Sequence, residues 1–285
     1  MQIDMHFYCV YGMARAVGIG PDEARLIAHS SQFVDDALVD KHIEVSKTES
    51  ILPTMTSHRP LDFKNLIEGD QWKVWVPFHF LPGNEGSEFV RLMTCQMNSE
   101  PAQQMLEHAL SQKDKKWGHF SVGVAMHVYA DTFSHQGFVG YHTPWNKVLQ
   151  NSIKYELKSK TIKKYIERKL GLFEAKLTGT VAENVELGHA AVATLPDRPY
   201  LKWSYKREKD KVKIERNNQK DFHKAAELIH AFLIRFAQET GQTGDPTPWE
   251  ELSAEVLKLI KIEGTKEHRS EKWRDAIGSS KFFPS

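Results

Sequence analysis

A mainly α-helical fold, one multi-helix domain across residues 1–285 with a small β-hairpin, is what this sequence predicts. Three observations carry that expectation. Apolar residues recur at helical spacing through most of the chain, and Pro, Ser or Asn opens several of these stretches. The clearest strand signal, Tyr200 to Asn217, alternates on both sides of Glu208-Lys209-Asp210 as a hairpin would. No internal repeat or low-complexity linker divides the chain.

Met5 to Val17 is apolar and rich in small residues, a first helix. A second starts at Pro21, with Asp22 and Glu23 placed to favour its N-terminus, and runs on through Asp36. From His42 to Leu66 Pro53 and Pro60 break any period. The stretch "WKVWVPFHFLPGNEG" reads as a short extended segment entering a Pro/Gly loop. Ser99 can cap a helix over "EPAQQMLEHAL", with Pro101 tolerated in its first turn. "KWGHFSVGVAMHVYADTFSHQGF" makes a long helix with little polar surface to offer water, so it belongs at the centre. Asn146 to Leu170 reads as an amphipathic helix whose lysines form a solvated face, and Ala182 to Leu195 as another short helix. Asn218 caps a helix that Gly241 stops. Helices over "DPTPWEELSAEVLKLIK" and from Thr265 to Ile277 complete the chain.

Composition excludes several classes. Forty per cent hydrophobic residues, with seven Trp and fifteen Phe, suffice for a substantial core. The formal net charge is +1, so no nucleic-acid-binding patch and no acidic tail is expected. No run of apolar residues is long enough to span a bilayer. Two cysteines, Cys9 and Cys95, and a first stretch without the marks of a signal peptide fit a soluble, reducing, cytoplasmic setting.

Histidine is the informative residue. The chain has fourteen, several near aspartates. On a helix, residues four apart differ by about 40° in direction, so His127, Asp131 and His135 line one side of the central helix. Imidazole nitrogens and a carboxylate in that row suit a hard or borderline metal such as zinc, and the two oxygens of Asp131 could bridge ions. His119, about 80° round by the same geometry, would sit at the rim. A lone His/Asp pair at this spacing is more often a buried hydrogen-bonded pair. Here the helix is too apolar for the surface, and its polar groups need partners.

The chain offers such partners. His29 and Asp36 are seven apart on the second helix and share a face, which favours Asp36 over Asp35 as a ligand. Asp35 stays open because helix ends fray. Asp4 and His6 form a pair near the N-terminus, and His79 stands in "PFHFLPG". His189 has Glu183, Glu186 and Asp197 within reach by sequence, and His142 competes with His135.

The order of these motifs is similar to the zinc-dependent phospholipase C and single-strand nuclease superfamily, helical proteins with a three-zinc cluster. His6 matches its early His, Asp36 (or Asp35) its early Asp, and His79 its HF motif. "AMHVYADTFSHQGF" supplies His127, Asp131 and His135, and His189 matches the later His. The resemblance implies one zinc held by Asp36, His79, His127 and Asp131. It implies a second at His6 and Asp131, and a third at His135 and His189. Those proteins add a terminal amine as ligand. Here Asp4 is expected in its place, because the chain starts at Met1. They also carry an acid four residues after the later His, where this chain has Ala193, so Asp197, Glu186 or Glu183 would substitute. A closer resemblance is to a microbial family of unknown function with segments like "SQFVDD", "PFHFLPG" and "HVYADT", covering most of the chain.

What the resemblance implies chemically is hydrolysis of a small-molecule phosphoester by water activated on two or three ions, zinc or else manganese or iron. Asp131 would bridge and Asp36 or a nearby carboxylate would orient the water. Trp75, Phe80, Phe133, Phe138 and Trp145 could line an apolar wall, with core packing the plainer reading. No serine-nucleophile elbow, glycine-rich phosphate loop or adjacent His-Asp pair points to another hydrolase chemistry. A non-catalytic protein with a structural zinc is the alternative. The metal motifs are expected within residues 1–200, with the hairpin and C-terminal helices over 201–285.

Overall fold

The computed structural model describes residues 1–58, 68–176, 186–242 and 244–279, and it is mainly helical. A π-helical turn, Asp4–Cys9, runs into α1 (Val10–Ala16). Helix α2 (Pro21–Asp36) follows, with Pro21 at its start and Asp22 and Glu23 in its first turn. Its buried side is Ala24, Ile27, Ala28, Ser31 and Val34, the spacing of one helix face. After α2 come two short antiparallel strands, β1 (Ile43–Glu44) and β2 (Ser50–Ile51).

The segment expected to be extended is helical instead. It comprises α3 (Glu68–Asp70), a π-helical turn (Gln71–Trp75) and α4 (Val76–Phe78). Its bulky residues suggest a strand, but Gln71 and Val74 are buried three apart with Trp72 and Lys73 exposed between them, a helical rather than alternate spacing. Pro77 is the second residue of α4, near the end of a backbone that is already helical from Glu68 through the π-helical turn. A short α5 (Phe89–Leu92) precedes α6 (Glu100–Ser111). Ser99 stands at the α6 N-cap with extended backbone, yet its side chain makes no capping bond.

Helix α7 (Gly118–Ser134) is the central one, as its apolar composition predicts, and packs on α2, α6 and α9 (Asn218–Glu239). The approach of α2 is close because of Gly123. A Cβ there would lie 2.4 Å from the Ile27 carbonyl oxygen and 2.6 Å from the Ser30 Cβ. Met5, Met13, Ile27, Met126, Phe133 and Phe236 belong to the core built round this contact. Helix α10 (Trp249–Ile260) packs on α9, and α11 (Lys266–Ser279) packs on the first π-helical turn.

Asn146 to Leu170 is not one helix. Lys154–Glu156 forms β3, which pairs with β4 (Lys202–Lys206), itself paired with β5 (Lys213–Asn217). The expected hairpin is therefore the larger part of a three-stranded antiparallel sheet. Tyr155 faces Trp203, and Tyr205 faces Ile214. Helix α8 (Lys160–Lys176) then starts after Ser159, whose hydroxyl accepts the Ile162 N–H. Ile162 and Ile166 join Phe80, Phe138, Trp203 and Tyr205 in a second apolar cluster, while Lys160, Lys163 and Lys164 face water. Of the helix expected from Ala182 to Leu195, residues 182–185 lie outside the described ones, and only a 3-10 turn, Ala190–Val192, is helical. The cap of α9 is Asn217, accepting from the Lys220 N–H, one residue before the expected Asn218. Asn218 spends its side-chain amide on the carbonyls of Leu195, Pro196 and Arg198. Gly241, at φ +70°, follows the end of α9. Among the described residues no helix is long and apolar enough to cross a membrane.

Candidate metal centre

Helix α7 presents three polar side chains on one face to the inside of the protein. Asp131 is 1% exposed, and its two oxygens look to different partners. Oδ1 is 3.2 Å from His6 Nε2 and makes a short contact with the amino nitrogen of Met1. Oδ2 is 3.2 Å from His79 Nδ1, 3.3 Å from His127 Nε2 and 3.6 Å from His135 Nδ1. His135 turns Nε2 to Asp197 Oδ1 at 3.1 Å, and His189 Nε2 is 3.7 Å from the same oxygen. The Asp35 carboxylate reaches towards His127 Nε2 at 3.9 Å and His6 Nε2 at 4.0 Å. Three groups have ligand atoms close enough to share an ion: His6–His127–Asp131, Asp35–His79–His127, and His135–His189–Asp197.

Four of the five imidazoles are oriented in the same way. His127 Nδ1 lies 2.8 Å from the Ser31 carbonyl and His135 Nδ1 2.7 Å from the His79 carbonyl. His189 Nδ1 lies 2.8 Å from the Ala193 carbonyl, and His79 Nε2 2.8 Å from that of Thr56. A carbonyl oxygen can only accept, so each of these nitrogens carries the proton. The opposite nitrogen of a neutral ring is then a bare lone pair turned inward. His127 Nε2 and His79 Nδ1 thus face each other at 3.3 Å with no proton between them when both rings are neutral, and His135 Nε2 faces a carboxylate. This is the outer-sphere arrangement that fixes ligand histidines. It is repulsive unless positive charge sits among the lone pairs.

The ionisable groups respond to that crowding. Burial, with His127 and the Met1 amino group nearby, lowers His6 to about 3. Burial lowers His189 to about 4 against the opposing pull of Asp197. Burial alone would raise Asp131, but His135, the Met1 amino group, His127 and His6 outweigh it and hold the carboxyl well below its ordinary range. Burial opposes the charged Met1 amino group too, yet Asp131 and Asp197 raise it to about 11.

Local structure supplies the precision. Both π-helical turns carry or lead into a donor, His6 and His79 respectively; such turns recur at functional sites. Gly188, at φ +53°, precedes His189, and a Cβ there would lie 2.4 Å from Phe80 Cζ. Phe80 can therefore stack on His135, ring centroids 4.7 Å apart, while meeting His189 at 5.8 Å. Buried Arg216, on β5, donates to the Phe133 and Ser134 carbonyls and holds the end of α7 beside His135.

Several sequence expectations change here. Asp36 is exposed and accepts a hydrogen bond from Gln32, whereas Asp35 points to the cluster. The shared face of His29 and Asp36 is the outer one, and His29 is exposed beside Phe33. Asp35 instead continues the buried row through Ala28 and Ser31. Asp4 does not replace a terminal amine, because Arg269 Nε holds it at 2.6 Å and the Met1 nitrogen occupies the place expected for Asp4. His119 packs edge-on against Phe236 and joins none of the three groups. Glu186 pairs with Lys147 at 2.7 Å, so Asp197 is the acid beside His189; Glu183 lies outside the described residues. His142 joins no group either. Phe80, Phe133, Phe138 and Trp145 are buried packing, and only Trp75 of that set is half-buried, 5.2 Å from the His79 ring. The Thr56 carbonyl carries no sequence signal, and the Met1 nitrogen stands where the resemblance implies a terminal amine.

The whole chain, residues 1–285, matches the model of a family of unknown function, DUF6765, and the protein belongs to that family. No curated protein and no solved structure matches it.

Proposed function

We propose that this member of a family without an assigned activity is a metal-dependent hydrolase of a phosphoester, monoester or diester, with two or three ions sharing Asp131. The observation that supports it is the set of four carbonyl-fixed histidines whose free lone pairs converge on three aspartates. Neutral imidazole and carboxylate donors of this kind suit zinc, and also manganese or iron.

His79, His127 and Asp35 would hold one ion, His6 and His127 or Asp131 another, and His135, His189 and Asp197 a third. Bound ions of this class supply Lewis acidity towards a phosphoryl oxygen and make water acidic near neutral pH. The chain's own part is positional. Asp131 places one oxygen towards His6 and the other towards His79 and His127, so it ties two groups into one cluster. Asp35, 31% exposed, is the most accessible of the three aspartates, and its carboxylate can orient and deprotonate water. It takes the role that the sequence suggested for Asp36.

The test is metal content by mass spectrometry on the purified protein and an Asp131→Asn variant, followed by a screen of phosphomonoesters and phosphodiesters. Two or three ions per chain, a loss of more than one in the variant, and metal-dependent turnover are expected. A protein that takes up no metal on reconstitution overturns the proposal. Tight metal without turnover of any ester assigns the site a structural role.

A further inference from the structure

His6 differs from the other four histidines of the cluster in how it is held. Among the described residues neither of its ring nitrogens makes a well-aligned hydrogen bond, although Nε2 lies 3.2 Å from Asp131 Oδ1, and no carbonyl fixes its tautomer. Its ring is positioned by stacking on His127, with centroids 3.8 Å apart and planes 20° apart, by the Asp131 carboxylate and by its own backbone. The placement of that backbone therefore decides whether His6 faces Asp131.

The backbone is held from the far end of the chain. The Gln2 carbonyl accepts the N–H groups of Met5 (2.9 Å) and His6 (3.0 Å), which ties Gln2 to the π-helical turn. Arg269 of α11, 0% exposed, then grips this turn at two side chains. Its Nε donates to Asp4 Oδ2 at 2.6 Å, and Nη2 donates to Gln2 Oε1 at 2.5 Å and to Asp4 Oδ1 at 3.4 Å. Nη1 donates to the Gly264 carbonyl at 2.7 Å, and the guanidinium lies 5.4 Å from the Tyr200 ring centre. Five N–H donors in a rigid planar fork suit such a multi-point grip, and an ammonium cannot reproduce it.

We infer that Arg269 is a positioning residue for the metal centre. It clamps Gln2 and Asp4 so that His6 is presented to Asp131, whereas the His135–His189–Asp197 group meets the clamped segment at the Met1 amino nitrogen, 3.4 Å from Asp197 Oδ1. The inference deepens the metal-hydrolase reading and rests on it for the word metal. The clamp itself is independent of any ion.

The experiment compares the full-length protein with Arg269→Lys, and with the double variant Asp4→Asn/Arg269→Gln, which leaves no buried charge unpaired. Each is loaded with zinc, and separately with cobalt(II) as a spectroscopic probe, and titrated with a chelator. Hydrogen exchange of a peptide spanning residues 2–9 is followed with and without metal. The expected result is a folded variant whose weakest-held ion is bound about tenfold to a hundredfold less tightly, the range for groups that orient ligands. The remaining cobalt absorption stays unchanged, and the peptide exchanges faster whether or not metal is present. Unchanged affinities with unchanged exchange in both variants would overturn the inference, as would equal weakening of every ion. If the wild type binds no metal, the hydrolase reading falls, and the exchange rates alone still decide whether Arg269 holds this segment.

Discussion

His135 Nε2 lies 3.1 Å from Asp197 Oδ1, although the two residues are 62 apart in the chain. The same ring donates through Nδ1 to the carbonyl of His79 at 2.7 Å. One imidazole thereby joins the end of α7, the turn after α4 and the loop before β4, and the third donor group is assembled from all three.

Among the described residues Asp197 belongs to that donor group alone, whereas Asp131 faces the histidines of both other groups. Replacing Asp197 with Asn should remove one ion per chain and leave the others in place. Metal counting on the purified variant decides it. A fall of two or more ions would show that the groups are not separable in this way.

Neighbouring carboxylates on α2 should behave oppositely. Asp35→Asn should weaken metal retention and depress any metal-dependent turnover, because this carboxylate faces His127 and His6. Asp36→Asn should leave both unchanged and shift stability by no more than about 0.5 kcal/mol, as surface substitutions do. Side-by-side chelator titrations check the pair, and equal effects would refute the assignment of Asp35.

Lowering the pH should destabilise the metal-free protein through His6 and His189. Their folded values, about 3 and about 4, lie below the ordinary 6.5, so the unfolded chain takes up these protons first. The stability contributed by these two groups is complete above pH 6.5 and is lost as the pH falls from there towards 3. Thermal midpoints of the metal-free protein should therefore decline across this window. His6→Phe should decline less steeply, and a variant with an unaltered slope would remove His6 as a cause.

Gly123→Ala tests the contact that brings α2 to α7. The added methyl group meets backbone at Ile27, which cannot rotate away, so overpacking should cost about 1–3 kcal/mol. Thermal melting of the variant measures the loss. Because the Ser31 carbonyl on the same helix fixes His127, chelator resistance should drop as well. Undiminished melting temperature would mean that the helices part without penalty.

Local periodicity makes much of this protein legible from its residues. Apolar spacing marks α2, α6, α7 and α9, alternation marks the β4–β5 hairpin, and four-residue spacing puts His127, Asp131 and His135 on one face. Those patterns are written within a few turns of chain, where backbone geometry alone fixes directions. The row Ala24, Ile27, Ala28, Ser31 also pointed to Asp35, but the competing row from His29 to Asp36 carried a histidine and looked more like a ligand face.

By itself, then, the sequence determined a mainly helical chain and a shortlist of imidazoles and carboxylates. Only the tertiary structure decided which of them meet. Asp4 is as polar and as near His6 as a ligand should be, yet Arg269 takes it. Asp197 rather than Glu186 reaches His189, because Lys147 pairs with Glu186. The strand β3 exists because β4 offers it a ladder. In each case the deciding partner is far away in sequence. A buried charge or an unpaired strand is satisfied by whatever group folding brings within about 3 Å, and no local pattern records that choice.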